Sequence, residues 1–231
     1  MSLPIRVCVF DAYGTLFDVA AAARIAATEP GRAGLADRWA GIADTWRRKQ
    51  LQYSWLRTIT GNHADFWTVT EDGLDFALEA AGLAGDAGLR ARLLALYWEL
   101  KAYPEVTSVL GELKSTGFHT AILSNGARGM LDGAVTSAGI GHVLDAVLSV
   151  EEVGVFKPDR RVYDLVGRRF GTRPSEVLFV SSNGWDAAAA AGYGFVSVFV
   201  NRQGDPIDRL PWQPAHVMED LTAVPDLAAA L

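Results

Sequence analysis

Cysteine is nearly missing from this chain: one in 231 residues, Cys8. That excludes an internal disulfide and fits a reducing compartment. Cys8 lies inside an apolar run with nothing near it to stabilise a thiolate, so it reads as a small core residue and not a nucleophile. No apolar run is long enough to span a bilayer. The N-terminus lacks the charged start and long apolar stretch of a secretory signal. These features predict a cytoplasmic protein with no membrane partner. Positive charge is not in excess either. Lys and Arg total 21 against 27 Asp and Glu, a net charge of −6, which favours solubility and argues against nucleic acid as the main partner. There is no repeat and no low-complexity tract, and the alanine runs at 20–23 and 187–191 are simply good helix formers.

What the chain does have is apolar material: 50% of its residues are hydrophobic, ample for a packed core. Residues 5–10 are nearly all apolar, which suits a central parallel strand covered on both faces. Similar runs at 120–125, 146–150, 176–183 and 195–201 predict further strands. Helical patterns alternate with them. Residues 105–116 put Val106, Val109, Leu110 and Leu113 on one face, and 160–170 and 185–191 also read as helices. Such alternation predicts an α/β fold, a doubly wound, Rossmann-like parallel sheet with right-handed crossovers. Residues 19–101 break the pattern. They hold no convincing strand but four helical stretches, at 19–27, 35–60, 72–81 and 87–101, the second carrying Trp39, Trp46, Tyr53 and Trp55. The expected organisation is a core of 1–18 and 102–231 with an inserted helical subdomain of 19–101, joined near 17–19 and near Tyr103-Pro104.

Ligands of open α/β sheets bind beyond the carboxyl ends of the strands. There the first strand presents Asp11, with Thr15 four residues on, and the second presents Ser124, Asn125 and Gly126. The fourth presents Ser181, Ser182 and Asn183, with Asp186 in the turn beyond, and the loop VFKPDRRVY adds Lys157 and Tyr163. One edge thus gathers two carboxylates, one ammonium and several hydroxyl and amide groups. A carboxylate facing a lysine and hydrogen-bond donors can stay ionised and act as a nucleophile. Singly, each element has an ordinary reading: a helix N-cap, a turn, a helix start. The ordered combination carries the chemistry. The basic run Arg47-Arg48-Lys49 reads by itself as a solvated helix face.

The set DAYGTLFD, ILSNG, KPDRRVY and FVSSNGWDAAAAAG resembles the haloacid dehalogenase superfamily, over nearly the whole chain. The resemblance implies a nucleophilic Asp11, a Ser124 and a Lys157 in that family's positions, an acidic motif in 181–186, and a cap formed by the inserted helices. Most such proteins are phosphatases, which resemble this chain less at two positions. They carry a second Asp where Tyr13 stands, to protonate the leaving alkoxide, and an acidic residue where Ser182 stands, to help hold magnesium. A halide leaves without a proton. DAYGTLFD and SSNGWD are similar instead to the L-2-haloacid dehalogenase branch. That branch implies conversion of an L-2-haloacid to a D-2-hydroxyacid and halide through an ester on Asp11, with no metal or cofactor. A phosphatase of the same fold, and a non-catalytic binder of small carboxylates, are the competing readings.

By resemblance, Lys157 and Ser181 would orient the Asp11 carboxylate. Ser124 and the backbone N–H groups around Tyr13 and Gly14 would grip the substrate's carboxylate. Arg47, in the cap-like segment TWRRKQLQYSWLR, and Asn125 would receive the halide. Asn183 and Asp186 would position or activate the hydrolytic water, with Thr15 and Tyr163 tying the network together. Ala12, Tyr13, Phe66 and Trp185 would border the substrate, although core packing accounts for Phe66 almost as well. Two departures touch the pocket: Ala12 is smaller than the branch's usual residue, and Arg48 stands where the branch commonly has Gln. The expected partners are a small halogenated carboxylic acid and a second copy of the chain.

Overall fold

The computed structural model describes residues 4–30, 33–98 and 100–231. Six parallel strands form one sheet in the order β3-β2-β1-β4-β5-β6. They are β1 (Val7–Phe10), β2 (His119–Ser124), β3 (Ala146–Ser149), β4 (Val177–Ser181), β5 (Val196–Val200) and β6 (His216–Met218). Both β1 and β4 are buried along their whole length. Their continuous apolar character follows from helices covering both faces. The sheet is the expected doubly wound α/β fold. Strand order reverses about β1, which pairs with β2 on one side and β4 on the other. The crevice beyond β1 and β4 is therefore the topological switch point.

Between β1 and the rest of the sheet the described residues form five helices: α1 (Ala21–Ala27), α2 (Ala33–Ala36), α3 (Trp39–Thr60), α4 (Phe66–Ala80) and α5 (Ala87–Trp98). Among the described residues five more follow: α6 (Val106–Ser115), α7 (Arg128–Ala138), α8 (Arg160–Phe170), α9 (Gly184–Tyr193) and α10 (Val224–Ala230), of which α6, α8 and α9 pack on the sheet. The chain leaves and re-enters the sheet layer side by side. Asp18 N–H donates to Lys101 O at 3.0 Å, Tyr103 N–H donates to Leu16 O at 3.0 Å, and Phe17 pairs with Ala102. Among the described residues no helix is long and apolar enough to cross a membrane.

Several elements differ from the sequence reading. The stretch 35–60 is two helices, and 87–101 is helical as Ala87–Trp98, Glu99 lying outside the described residues. The helix expected at 72–81 begins at Phe66. Its start is set by Asp65, whose Oδ1 accepts the Thr68 N–H at 2.7 Å. The aromatic and β-branched run FWTVT hides that start, since such residues are weak helix formers that burial overrides. β6, α7 and α10 were not anticipated, although α7 buries Met130, Leu131, Ala134 and Val135 along one face at helical spacing.

Candidate active site

β1 ends at Phe10, and the next residue, Asp11, has its carboxylate at the switch point, only 6% exposed. The turn that follows is held by one carbonyl. Ala12 O accepts the N–H groups of Leu16 at 2.9 Å and Phe17 at 3.0 Å. Gly14 has φ +89°, a conformation that side chains resist. This turn brings Thr15 back beneath the carboxylate. Thr15 Oγ1 donates to Asp11 Oδ2 at 3.2 Å and accepts the Ser182 N–H at 2.8 Å. Asn183 Nδ2 donates to the same Oδ2 at 2.8 Å. Lys157 Nζ donates to Asp11 Oδ1 at 3.1 Å and to Asp186 Oδ2 at 2.8 Å. Asp186 also accepts from Tyr163 Oη at 2.7 Å and from Ser181 Oγ at 3.2 Å. Both oxygens of both carboxylates are therefore engaged.

The cluster is dry. Lys157 is 1% exposed and Asp186 fully buried. Burial alone would lower the pKa of the Lys157 ammonium, but Asp11 and Asp186 outweigh it and hold the pKa above its ordinary value of 10.5. Burial pushes the Asp186 carboxyl upward, against the pull of Lys157. Burial, then Asp186, raises the Tyr163 phenol well above its usual range, so it stays a donor. Elsewhere, burial lifts the Cys8 thiol to about 12, in keeping with an inert core residue.

The helical insertion adds one cation and several rings. Arg47 on α3 reaches across to donate to Asn183 Oδ1 at 3.0 Å and to the Tyr13 carbonyl at 3.3 Å. It also borders two clefts. One, of about 350 Å³, runs beside Trp39, Trp46, Gln50 and Tyr97. The other, of about 450 Å³, runs beside Arg24, Asn183 and Arg202. Asp11 lines neither, but Asn183, which donates to Asp11, lines the second beside Arg47. The Tyr13 ring stacks on Phe66 (centroids 5.9 Å apart) and on Tyr97 (5.6 Å).

Asp11, Thr15, Lys157, Tyr163, Ser181, Asn183 and Asp186 thus form one hydrogen-bonded network, with Arg47 attached to it through Asn183. Asn125 joins through its Oδ1, which accepts the Lys157 backbone N–H at 2.9 Å. Ser124 is fully buried, and its Oγ accepts the Gly126 N–H at 3.0 Å. Other placements depart from expectation. Ser181 bonds to Asp186 and not to Asp11, because its short side chain starts the turn that carries Asp186. The Gly14 N–H is spent on Phe17 O at 2.8 Å and is not offered to an anion; the Tyr13 N–H has no backbone partner among the described residues. Trp185 packs edge-on against Trp55, centroids 5.3 Å apart, in an outer groove with Pro158 and Trp212. Ala12 is buried and serves the turn through its carbonyl. Arg48 is exposed and donates to Thr45 Oγ1 at 3.3 Å, while Lys49 sits over the Phe76 ring at 4.0 Å.

Two site residues, Tyr97 and Arg202, escaped the sequence reading, and a third, Gly126, was placed at the right strand end but read only as part of a turn. Tyr97 backs Tyr13, yet in a helix it reads as packing. A Cβ on Gly126 would lie 2.7 Å from Tyr13 Cε2, so this glycine is the seat of the Tyr13 ring. Arg202 donates to the Thr15 carbonyl at 3.0 Å and pairs with Glu105 at 2.6 Å. It follows β5 almost at once, and the strand-end rule applied to FVSVFVN would have found it. Among the described residues, no three His, Cys, Asp or Glu side chains are grouped so as to hold a metal ion.

Fold and site define a hydrolase class: a doubly wound sheet with a buried, lysine-paired aspartate at the tip of its first strand. Comparison with known proteins agrees. The model of the haloacid dehalogenase-like hydrolases matches residues 5–194. The chain is 46% identical over 228 residues to (S)-2-haloacid dehalogenase 1 of Pseudomonas sp. (strain CBS-3), covering 99% of this chain and 98% of that one. It is 45% identical over 202 residues to (S)-2-haloacid dehalogenase 4A of Burkholderia cepacia, covering 87% and 85%. Its fold is similar to that of the L-2-haloacid dehalogenase from Xanthobacter autotrophicus with chloropropionic acid covalently bound. There the TM-score is 0.86 at 37% identity, covering 98% of this chain and 99% of that one. The chain belongs to the haloacid dehalogenase-like hydrolase family.

Proposed function

We propose that this enzyme hydrolyses L-2-haloacids to D-2-hydroxyacids and halide, through an ester on Asp11 and without a metal ion. The observation that carries the reading is the Asp11 carboxylate itself, nearly buried and paired with an ammonium at 3.1 Å. One carboxylate oxygen attacks C2 of the substrate from the side opposite the halogen. The C–O bond forms, the carbon–halogen bond breaks, and C2 inverts. The halide leaves as an anion, received by Arg47 and Asn125. Water then adds to the Asp11 carboxyl carbon. The ester's acyl C–O bond breaks, the hydroxyacid takes one proton of that water, and the other is released. Splitting one displacement into two steps is what covalent catalysis supplies.

Three features support this over phosphoryl transfer. Tyr13 stands where a leaving alkoxide would need an acid, and burial holds its phenol well above the usual range. Ser182 stands where magnesium would want a carboxylate. Lys157, Thr15 and Asn183 donate to the two Asp11 oxygens, supplying from side chains the positive field that a metal ion would otherwise bring to this carboxylate. Asn183 touches the nucleophile and is the group best placed to hold the hydrolytic water; Asp186 acts from behind, through Lys157. Ser124 and the Tyr13 N–H would bind the substrate carboxylate, and Phe66 with Tyr13 would face its alkyl group. Residues 19–101 would serve as the cap and two copies would pair, which light scattering tests.

The decisive experiment is halide release from L- and D-2-chloropropionate in EDTA. Release from the L form alone is expected. Release from neither, or dependence on magnesium, would overturn the reading. A single turnover in ¹⁸O-water should place the label in Asp11, since the water oxygen stays on the carboxylate.

A further inference from the structure

Two hydrogen-bonded contacts join the insertion to the loop before Lys157, and the reaction above uses neither. Glu151 lies in a short turn (Val150–Glu152) after β3, on the sheet side. Its Oε1 accepts the backbone N–H of Phe66 at 3.3 Å, and its Oε2 accepts from His63 Nε2 at 3.0 Å. Phe66 opens α4, where the first N–H groups have no acceptor within the helix. Asp65 already caps Thr68. Glu151 therefore supplies a second cap, from outside the insertion, with its negative charge at the positive end of the helix. In the other direction, Thr58 Oγ1 on α3 accepts the N–H of Phe156, the residue before Lys157, at 3.0 Å. Rings close the joint: His63 to Phe156 at 4.8 Å and Phe66 to Phe156 at 6.1 Å. The Glu151 and His63 side chains are 29% and 25% exposed, so the contact can break without opening the core.

We propose that Glu151 is a positioning residue, a latch that fixes the start of α4 and thereby holds the Phe66 ring against Tyr13 beside the nucleophile. The role assigned to the Phe66 wall rests on the function proposed above. Glu151 touches neither Asp11 nor Lys157, so its loss should loosen substrate binding and leave the chemistry intact.

The test compares wild type, Glu151→Ala and Glu151→Gln as full-length chains, by steady-state kinetics on L-2-chloropropionate and by amide hydrogen exchange without substrate. Glu151→Ala should raise KM about tenfold, the scale of one hydrogen bond to a charged group, while kcat changes less than about threefold. Exchange should quicken around residues 61–68 and stay unchanged in β1 and β4. Glu151→Gln keeps an acceptor for the Phe66 N–H and should recover most of both effects. Wild-type KM and exchange in Glu151→Ala would overturn the proposal. Faster exchange spread evenly through the sheet would overturn it too, by making Glu151 a residue of global stability. Should Glu151→Ala not fold, Thr58→Val removes the reciprocal contact and is expected to raise KM several-fold; an unchanged KM there counts against the latch. A wild type without activity would remove the functional reading, while the exchange data would still decide the latch.

Discussion

The two halves of the site are built on different physics. The sheet side contributes charge: Asp11, Asp186 and Lys157, all nearly or fully buried, every polar end of the cluster paired. The helical side contributes rings and a single half-buried guanidinium, that of Arg47. Buried charges tolerate little movement, because each lost partner leaves an uncompensated ion. They sit on strand ends and short turns. Ring walls and an arginine tolerate more, and they come from helices tied to the sheet layer by a two-strand joint and by a few partly exposed contacts such as that of Glu151. Under the function proposed above, the sheet half would set the reaction, and the helical half would set access and receive the leaving halide.

Removing the charge at the centre should give the largest effect. Lys157→Ala leaves two buried carboxylates facing each other. It should cost about 3–5 kcal/mol of stability and lower halide release by roughly 10³-fold or more. Urea unfolding and chloride assays read both. The pH dependence has a definite sign. The Lys157 pKa is raised in the folded protein above the 10.5 of an ordinary lysine. Its contribution is therefore fully present below 10.5 and is lost as pH rises through the higher folded value. The wild-type urea midpoint should fall in that alkaline window, and the fall should be missing in Lys157→Ala. An equal fall in both would assign it to another group.

Arg47→Ala tests the other half. It should lower turnover by about 10²- to 10³-fold, as loss of a donor to a departing anion does. Its effect on stability should be under about 1 kcal/mol, since the side chain is only half buried. A large drop in thermal midpoint with modest kinetic loss would reverse the comparison and make Arg47 a strut.

Gly126→Ala probes the seam. The new Cβ would meet Tyr13 Cε2 at 2.7 Å and Leu131 Cδ2 at 3.0 Å. Overpacking of this kind costs about 1–3 kcal/mol. Tyr13 must shift, taking with it the stack on Phe66 and Tyr97. We expect kcat/KM to fall about tenfold, mostly through KM.

How much of this was legible in the sequence depends on the range of the interaction. Strand ends were readable because continuous apolar runs mark central parallel strands. Hence Asp11, Ser181, Asn183, Asp186 and Lys157 fell together without coordinates. Contacts set by three-dimensional packing were not readable. Ser181 pairs with Asp186 because of how one turn closes, and the Gly14 N–H is consumed by a carbonyl three residues on. The start of α4 was lost in β-branched residues. Gly126 looked like any turn glycine, since the ring it must admit comes from a residue more than a hundred positions away.

The smallest effect is expected at the residue beside Arg47. On α3, one step along the chain turns the side chain by about 100°. Trp46 and Gln50, four apart, both face inward and are buried, and Arg47 lies at the edge of that face, where it reaches Asn183. Arg48 is turned a further step away, into solvent, with only Thr45 for company. The idea that it adds positive charge to the pocket therefore has no geometric support. Arg48→Ala should change stability by less than about 0.5 kcal/mol and leave kcat and KM for L-2-chloropropionate unchanged, within error, at low salt as well as high. A rise in KM confined to low salt would mean that Arg48 steers the anionic substrate from a distance, because a field acting through solvent is screened by ions in a way that contact is not.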